Sequence, residues 1–223
     1  GFISAIGTVM LPKVSRMTRM KQMDAVKRHI RLSMELVMCM VCAMAFGLAA
    51  VAVNFAPLFY GDDFAYSGTL MMPLAFTLLS IGFANVIRTQ WVLPQGRDTI
   101  FVHSVLTGAV INLIANFVLI PPFGAMGAAA ATVLAEFSVP AVQFVYLRKE
   151  LPYAQYLKTT GVYCLFGLVM AGAVALLGHV LPLHGWWKLA LQVTGGAAVY
   201  GALCLTYWKL AKRSDIFRLM RRK

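Results

Sequence analysis

The chain has 223 residues, with eight acids, four histidines and four cysteines from which a reactive centre could be built. His29, His103, His179 and His184 are too dispersed for metal-ligand spacing. Cys39 and Cys42 form a Cys-x-x-Cys pair, but no second pair or histidine stands beside it, and Cys164 and Cys204 follow singly. All four lie in apolar runs, where a thiol behaves as a small hydrophobe, and they make no disulfide framework. Asp62-Asp63 is the only adjacent acidic pair, and it falls in a predicted turn. No glycine-rich phosphate loop ends in Lys-Ser or Lys-Thr; Gly124-Ala125-Met126-Gly127 is apolar. These residue types imply neither a catalytic centre nor a cofactor.

The candidate functional groups are instead polar residues inside long apolar runs. Glu136 falls near the middle of one run, where an ionisable side chain costs about 2.5–3.5 kcal/mol on insertion scales. It reads either as an ion- or proton-coupling group or as a protonated carboxyl bonded to a neighbouring helix. Arg88 comes late in another run, near Asn85 and Gln90. Its two readings are an anion contact for a phosphate-bearing substrate and a side chain snorkelling to the interface. Asn112 and Asn116, four apart on one helix face, can line a cavity or bond helix to helix. Arg88, Asn85, Gln90, Asn112 and Asn116 are thus candidate substrate contacts, and Glu136 is the candidate coupling residue.

The elements that carry them belong in lipid. The chain is 60% apolar and 13% charged, with mean hydropathy +0.75. Soluble domains average about 45–50% apolar and about 25% charged residues. A bilayer core of about 30 Å needs about 20 apolar helical residues. Six runs meet that length, at roughly 32–59, 69–92, 100–120, 124–147, 159–181 and 186–208, and 1–11 reads as a seventh span cut short. The expectation is an all-α polytopic bundle, with 1–223 forming one transmembrane lobe and 209–223 a basic tail. Turn chemistry separates the runs at Tyr60-Gly61-Asp62-Asp63, Leu93-Pro94-Gln95-Gly96, Ile120-Pro121-Pro122-Phe123-Gly124 and Leu181-Pro182-Leu183-His184-Gly185.

The net charge of +12 follows the loops. Lys13, Arg16, Arg19, Lys21, Lys27, Arg28 and Arg31 crowd the first loop; Arg97, Arg148, Lys149, Lys158 and the tail carry most of the rest. The alternate loops are nearly free of basic residues, so the positive-inside rule puts the first loop and the C-terminus in the cytoplasm. The charge therefore marks topology and contact with anionic membrane lipids, and nucleic acid is not an expected partner.

Several stretches resemble a known family. Val9-Met10-Leu11-Pro12-Lys13-Val14-Ser15-Arg16 resembles a helix ending in Leu-Pro-x-x-Ser before a basic loop, and Leu58-Phe59-Tyr60-Gly61-Asp62-Asp63-Phe64 resembles an outer aromatic-Gly-x-x-Phe turn. The most specific stretch runs from Ile111-Asn112-Leu113-Ile114-Ala115-Asn116 through Ile120-Pro121 and Phe123-Gly124 to Gly127-Ala128-Ala129-Ala130-Ala131-Thr132 and Glu136. Together they resemble the C-terminal half of a polysaccharide flippase of the multidrug/oligosaccharidyl-lipid/polysaccharide exporter superfamily. The resemblance implies translocation of undecaprenyl-diphosphate-linked oligosaccharide to the outer leaflet by a two-lobed inner-membrane protein, with an N-terminal lobe upstream of this chain. A lipid II flippase and a cation-coupled drug antiporter belong to the same superfamily. A membrane enzyme of polysaccharide assembly would need a sizeable outer catalytic loop, and the predicted outer loops are short.

Overall fold

The computed structural model describes residues 2–180 and 185–210. Gly1, the turn at 181–184 that includes His184, and the basic tail from 211 onward lie outside the described residues. The described residues are helical almost throughout and contain no strand. In chain order the helices are α1 (Phe2–Arg19), α2 (Met23–Tyr60), α3 (Ala65–Ala75), α4 (Thr77–Ile87), α5 (Asp98–Leu147), α6 (Tyr153–Val180) and α7 (Gly185–Leu210).

Five stretches are long and apolar enough to cross a membrane: Met23–Tyr60, Asp62–Gln95, Asp98–Leu147, Tyr153–Gly178 and Gly185–Leu210. The six runs expected from sequence correspond to these five, because two of them share α5; the end of the 159–181 run passes beyond Gly178, and residue 181 lies outside the described residues. At 50 residues, α5 would span roughly 75 Å if straight, far more than a bilayer core. It is not straight. At Gly124 the backbone takes φ 56° and ψ −132°, a conformation open to glycine and strained for other residues. Pro121 and Pro122 remove two helix donors just before it. The chain turns back there, so Gly127 packs directly on the backbone of Leu119, and Gly108 faces Val139 and Ala135. Farther from the turn, His103 Nδ1 lies 3.1 Å from the Tyr146 hydroxyl. Thus α5 is two antiparallel limbs, and its small residues Gly127, Ala131 and Ala135 form the seam between them.

The second expected run is also divided. Pro73 lies in the last turn of α3, and Thr77 opens α4 with its hydroxyl donating to the Leu74 carbonyl at 2.7 Å. Pro73 thus accompanies a helix break rather than a smooth bend. Pro140, in contrast, lies inside continuous helix.

Helix α2 is the axis of the bundle. Ile30, Met34, Val37, Met38, Val41, Cys42 and Ala45 follow helical spacing and are buried against the neighbouring helices. Small residues let those neighbours approach: Gly82 of α4 sits against Val37 and Val41, Gly167 of α6 receives the Phe46 ring, and Gly196 of α7 meets Val174. The cysteines meet across helices in thiol–thiol hydrogen bonds with no disulfide, Cys39 with Cys204 at 3.6 Å and Cys42 with Cys164 at 3.7 Å. Trp208 Nε1 donates to the Tyr163 hydroxyl at 2.9 Å, which donates to Glu35 Oε1 at 3.2 Å. That chain ties α7, α6 and α2 around a buried acid that sequence reading did not single out.

Helices α2 and α3 also approach backbone to backbone. A β-carbon on Gly68 would stand 2.6 Å from the Ala52 carbonyl oxygen and 2.9 Å from the Val53 α-carbon. Both obstacles are backbone and cannot rotate away. Gly68→Ala should therefore destabilise the protein by about 1–3 kcal/mol, the usual range for overpacking. Thermal melting of the purified protein in detergent checks this, and an unchanged melting temperature would contradict the α2–α3 packing.

Candidate functional site

A cleft of about 570 Å³ opens between α4 and the two limbs of α5. Its volume lies within the usual range for small-molecule sites. One wall carries Ile81, Ala84, Asn85 and Arg88; the first limb adds Phe101, Val105, Gly108 and Asn112; the second adds Thr132, Glu136, Val139 and Gln143. Each set follows helical spacing, because only residues three or four apart share a helix face. Four of the six sequence candidates, Arg88, Asn85, Asn112 and Glu136, therefore meet in one cleft, although they come from three separate stretches of chain.

The other two do not line it. Gln90 is two residues from Arg88 and so points to a different face; it is 1% exposed, and neither of its amide atoms has a hydrogen-bond partner among the described residues. Asn116 folds back on its own helix, with Nδ2 donating to the Asn112 carbonyl at 2.8 Å and to Asn112 Oδ1 at 3.0 Å. Asn116 instead holds the Asn112 amide. Gln143 is the residue that sequence reading missed. Its seven-residue separation from Glu136 places both on one face and was the available signal.

Local backbone geometry presents Arg88. Pro94 cannot donate to the Gln90 carbonyl, and just upstream, over Arg88–Val92, the helix widens into a π-turn. Arg88 opens that turn. Its guanidinium carbon stands 4.9 Å from the centre of the Phe101 ring, a cation–π contact that fixes it at the cleft wall. Its Nε is buried with no hydrogen-bond partner among the described residues. Glu136 is half-buried, and no described residue donates to its carboxylate; Ser80 donates to its main-chain carbonyl. No group of three or more His, Cys, Asp or Glu among the described residues could hold a metal ion. The arrangement can bind a polar or anionic group and exchange a proton or cation.

Beyond the π-turn, the chain is anchored to the loop after α5. Arg97 Nη1 reaches both Glu150 oxygens at 2.8 and 2.6 Å, and Trp91 Nε1 donates to Glu150 Oε2 at 3.0 Å. Lys27 lies over the Trp91 ring at 5.8 Å. Burial alone would raise the pKa of the Glu150 carboxyl, but the bonds from Arg97 and Trp91 and the charges of Arg97 and Lys27 outweigh it and hold it below the usual range. A depressed carboxyl stabilises the fold above its unfolded pKa, and that contribution is lost as pH falls through the folded pKa. Glu150→Gln should lower stability near pH ~7 by at most about 1 kcal/mol, since the pair is about one-third exposed. Melting curves should converge with those of the parent protein in acid; a gap that persists there would show that the charge is not responsible.

Across known families, residues 2–195 match the family described as "Lipid II flippase MurJ". The chain belongs to this family. It is similar to the "Probable low-salt glycan biosynthesis flippase Agl15" of Haloferax volcanii, at 22% identity over 207 residues, covering 92% of this chain and 43% of that protein. It is also similar to the "Putative O-antigen transporter" of Shigella dysenteriae, at 23% identity over 127 residues, covering 57% of this chain and 31% of that protein. A solved structure titled "Lipid II flippase MurJ, inward closed conformation" superposes with TM-score 0.76 at 17% identity, over 93% of this chain and 43% of the other. That likeness establishes the fold. The chain spans less than half the length of each relative. The family match agrees with the flippase-family resemblance carried by its motifs.

Proposed function

We propose that this chain forms one lobe of a two-lobed flippase that moves a lipid-diphosphate-linked glycan from the cytoplasmic to the outer leaflet, with the cleft between α4 and α5 seating the polar head. The observation that carries this reading is the convergence of Arg88, Asn85, Asn112 and Glu136 on one cleft. Charged and amide side chains are costly at such depth unless they face a cavity or one another. A diphosphate offers acceptor oxygens to Arg88, sugar hydroxyls pair with the amides, and the polyprenyl tail stays in lipid. The second lobe, of comparable size, closes the other side, and rocking of the two lobes exposes the cleft to each face in turn.

In this reading the folded-back α5 crosses the membrane twice, which gives six complete crossings with α1 preceding them. Loops holding Lys21, Arg97 and Lys149 face the cytoplasm, and Asp62 faces outside, because basic residues gather on alternate sides. Single cysteines placed at these positions in a cysteine-free background should react with an impermeant thiol reagent from outside intact cells at position 62 alone. Labelling at 21 or 149 would invert the assignment.

The head group has two readings. The superfamily motifs favour an undecaprenyl-diphosphate oligosaccharide; the family match favours lipid II. Reconstitution of the complete two-lobed protein in vesicles, with each labelled lipid supplied separately, tests both. Loss of label accessibility from the starting leaflet should be catalysed for one of them. If neither lipid moves, the proposed function is wrong.

A further inference from the structure

We propose that Gln143 reads the first sugar of the transported head group by accepting a hydrogen bond from it, while Arg88 holds the adjoining phosphate. The inference rests on the cleft being the head-group seat and assigns a residue and an orientation within it. Gln143 is 1% exposed, yet its side chain lines the cleft, and Oε1 has no hydrogen-bond partner among the described residues. Burying such a carbonyl unpaired costs about 1–3 kcal/mol, and buried polar atoms in native proteins are nearly always paired. A bound ligand with a donor hydrogen removes that cost.

Donor and acceptor chemistry then orients the ligand. A phosphate diester or diphosphate offers only acceptors, so it cannot satisfy the Gln143 oxygen. It matches the guanidinium of Arg88, which is donor-only and whose Nε is also buried and unpaired. Sugar hydroxyls and acetamido N–H groups do donate. The register of the α5 limbs sets the two sites side by side. His103 against Tyr146 and Gly108 against Val139 place Gln143 level with residues 104–106, about one helical turn from Phe101, on which Arg88 stacks. Glu136 and Asn112 lie roughly 10 Å farther along the limbs, at 1.5 Å per residue, which leaves length for further sugar units.

The test compares transport of undecaprenyl diphosphate bearing one sugar with transport of the bare diphosphate, using the complete two-lobed protein in vesicles. Gln143→Met keeps the length and approximate volume of the side chain and removes its polar atoms, and Gln143→Leu provides a second apolar variant in case either fails to fold. Each should reduce the ratio of sugar-bearing to bare transport by about tenfold. Arg88→Ala should slow both lipids and leave the ratio near that of the parent. An unchanged ratio in a folded Gln143 variant overturns the role of Gln143 and leaves the cleft reading standing. Normal transport of both lipids by Arg88→Ala overturns the cleft reading, and this inference with it.

Discussion

Replacing Arg88 with alanine in the complete protein is expected to slow flipping by about 10- to 100-fold without loss of protein from the membrane. A hydrogen bond to a charged group contributes about 1.5–3 kcal/mol, and each 1.4 kcal/mol is tenfold in an equilibrium or rate. The guanidinium is held at the cleft wall by the Phe101 ring, 4.9 Å away, so it is not simply reaching out of the bilayer. Arg88→Lys should recover only part of the loss, since lysine keeps the charge but not the planar fork that can grip two phosphate oxygens. Transport in vesicles, with protein level and melting temperature measured in parallel, separates binding from folding. Wild-type transport by Arg88→Ala would leave snorkelling as the role of this residue.

Glu136→Gln is expected to uncouple transport from an imposed proton or cation gradient, with the gradient-driven component falling about tenfold or more. The carboxylate lines the cleft, as the depth-dependent cost of an ionisable group favours. No described residue donates a hydrogen bond to it, so its packing role is small. Glutamine keeps the shape and most of the hydrogen-bonding capacity but cannot exchange a proton or balance a cation. A Glu136 needed only for helix contact would tolerate that change. Assays across imposed pH and ion gradients decide: a gradient dependence equal to that of the parent protein would reduce Glu136 to a packing residue.

The positions of the apolar runs were legible because the bilayer imposes one length and one composition on every crossing. The turn at 120–124 was legible for an equally local reason, since two prolines and a glycine leave the backbone few alternatives. Sequence alone also marked Arg88, Asn85, Asn112 and Glu136 as expensive residues to place in lipid. It did not show that they share a site, and it did not separate them from Gln90 and Asn116. Gln90 differs from Arg88 by two helical positions, and a π-turn between them alters the face each presents. Asn116 shares a face with Asn112 but spends its amide on that neighbour. Gln143 escaped notice because one amide near a helix end is unremarkable until its burial is known. The cysteines looked like scattered small hydrophobes, and tertiary packing set each within 3.7 Å of another across more than a hundred residues. Sequence thus determined which segments are apolar and helical and which polar groups they carry into lipid, while the helix lengths were reset by the break near Pro73 and by the shared α5. Only the tertiary structure decided which of those groups meet, because facing depends on helix rotation and on the break at Gly124, and in lipid these are set by close contact of small residues rather than by hydrophobicity.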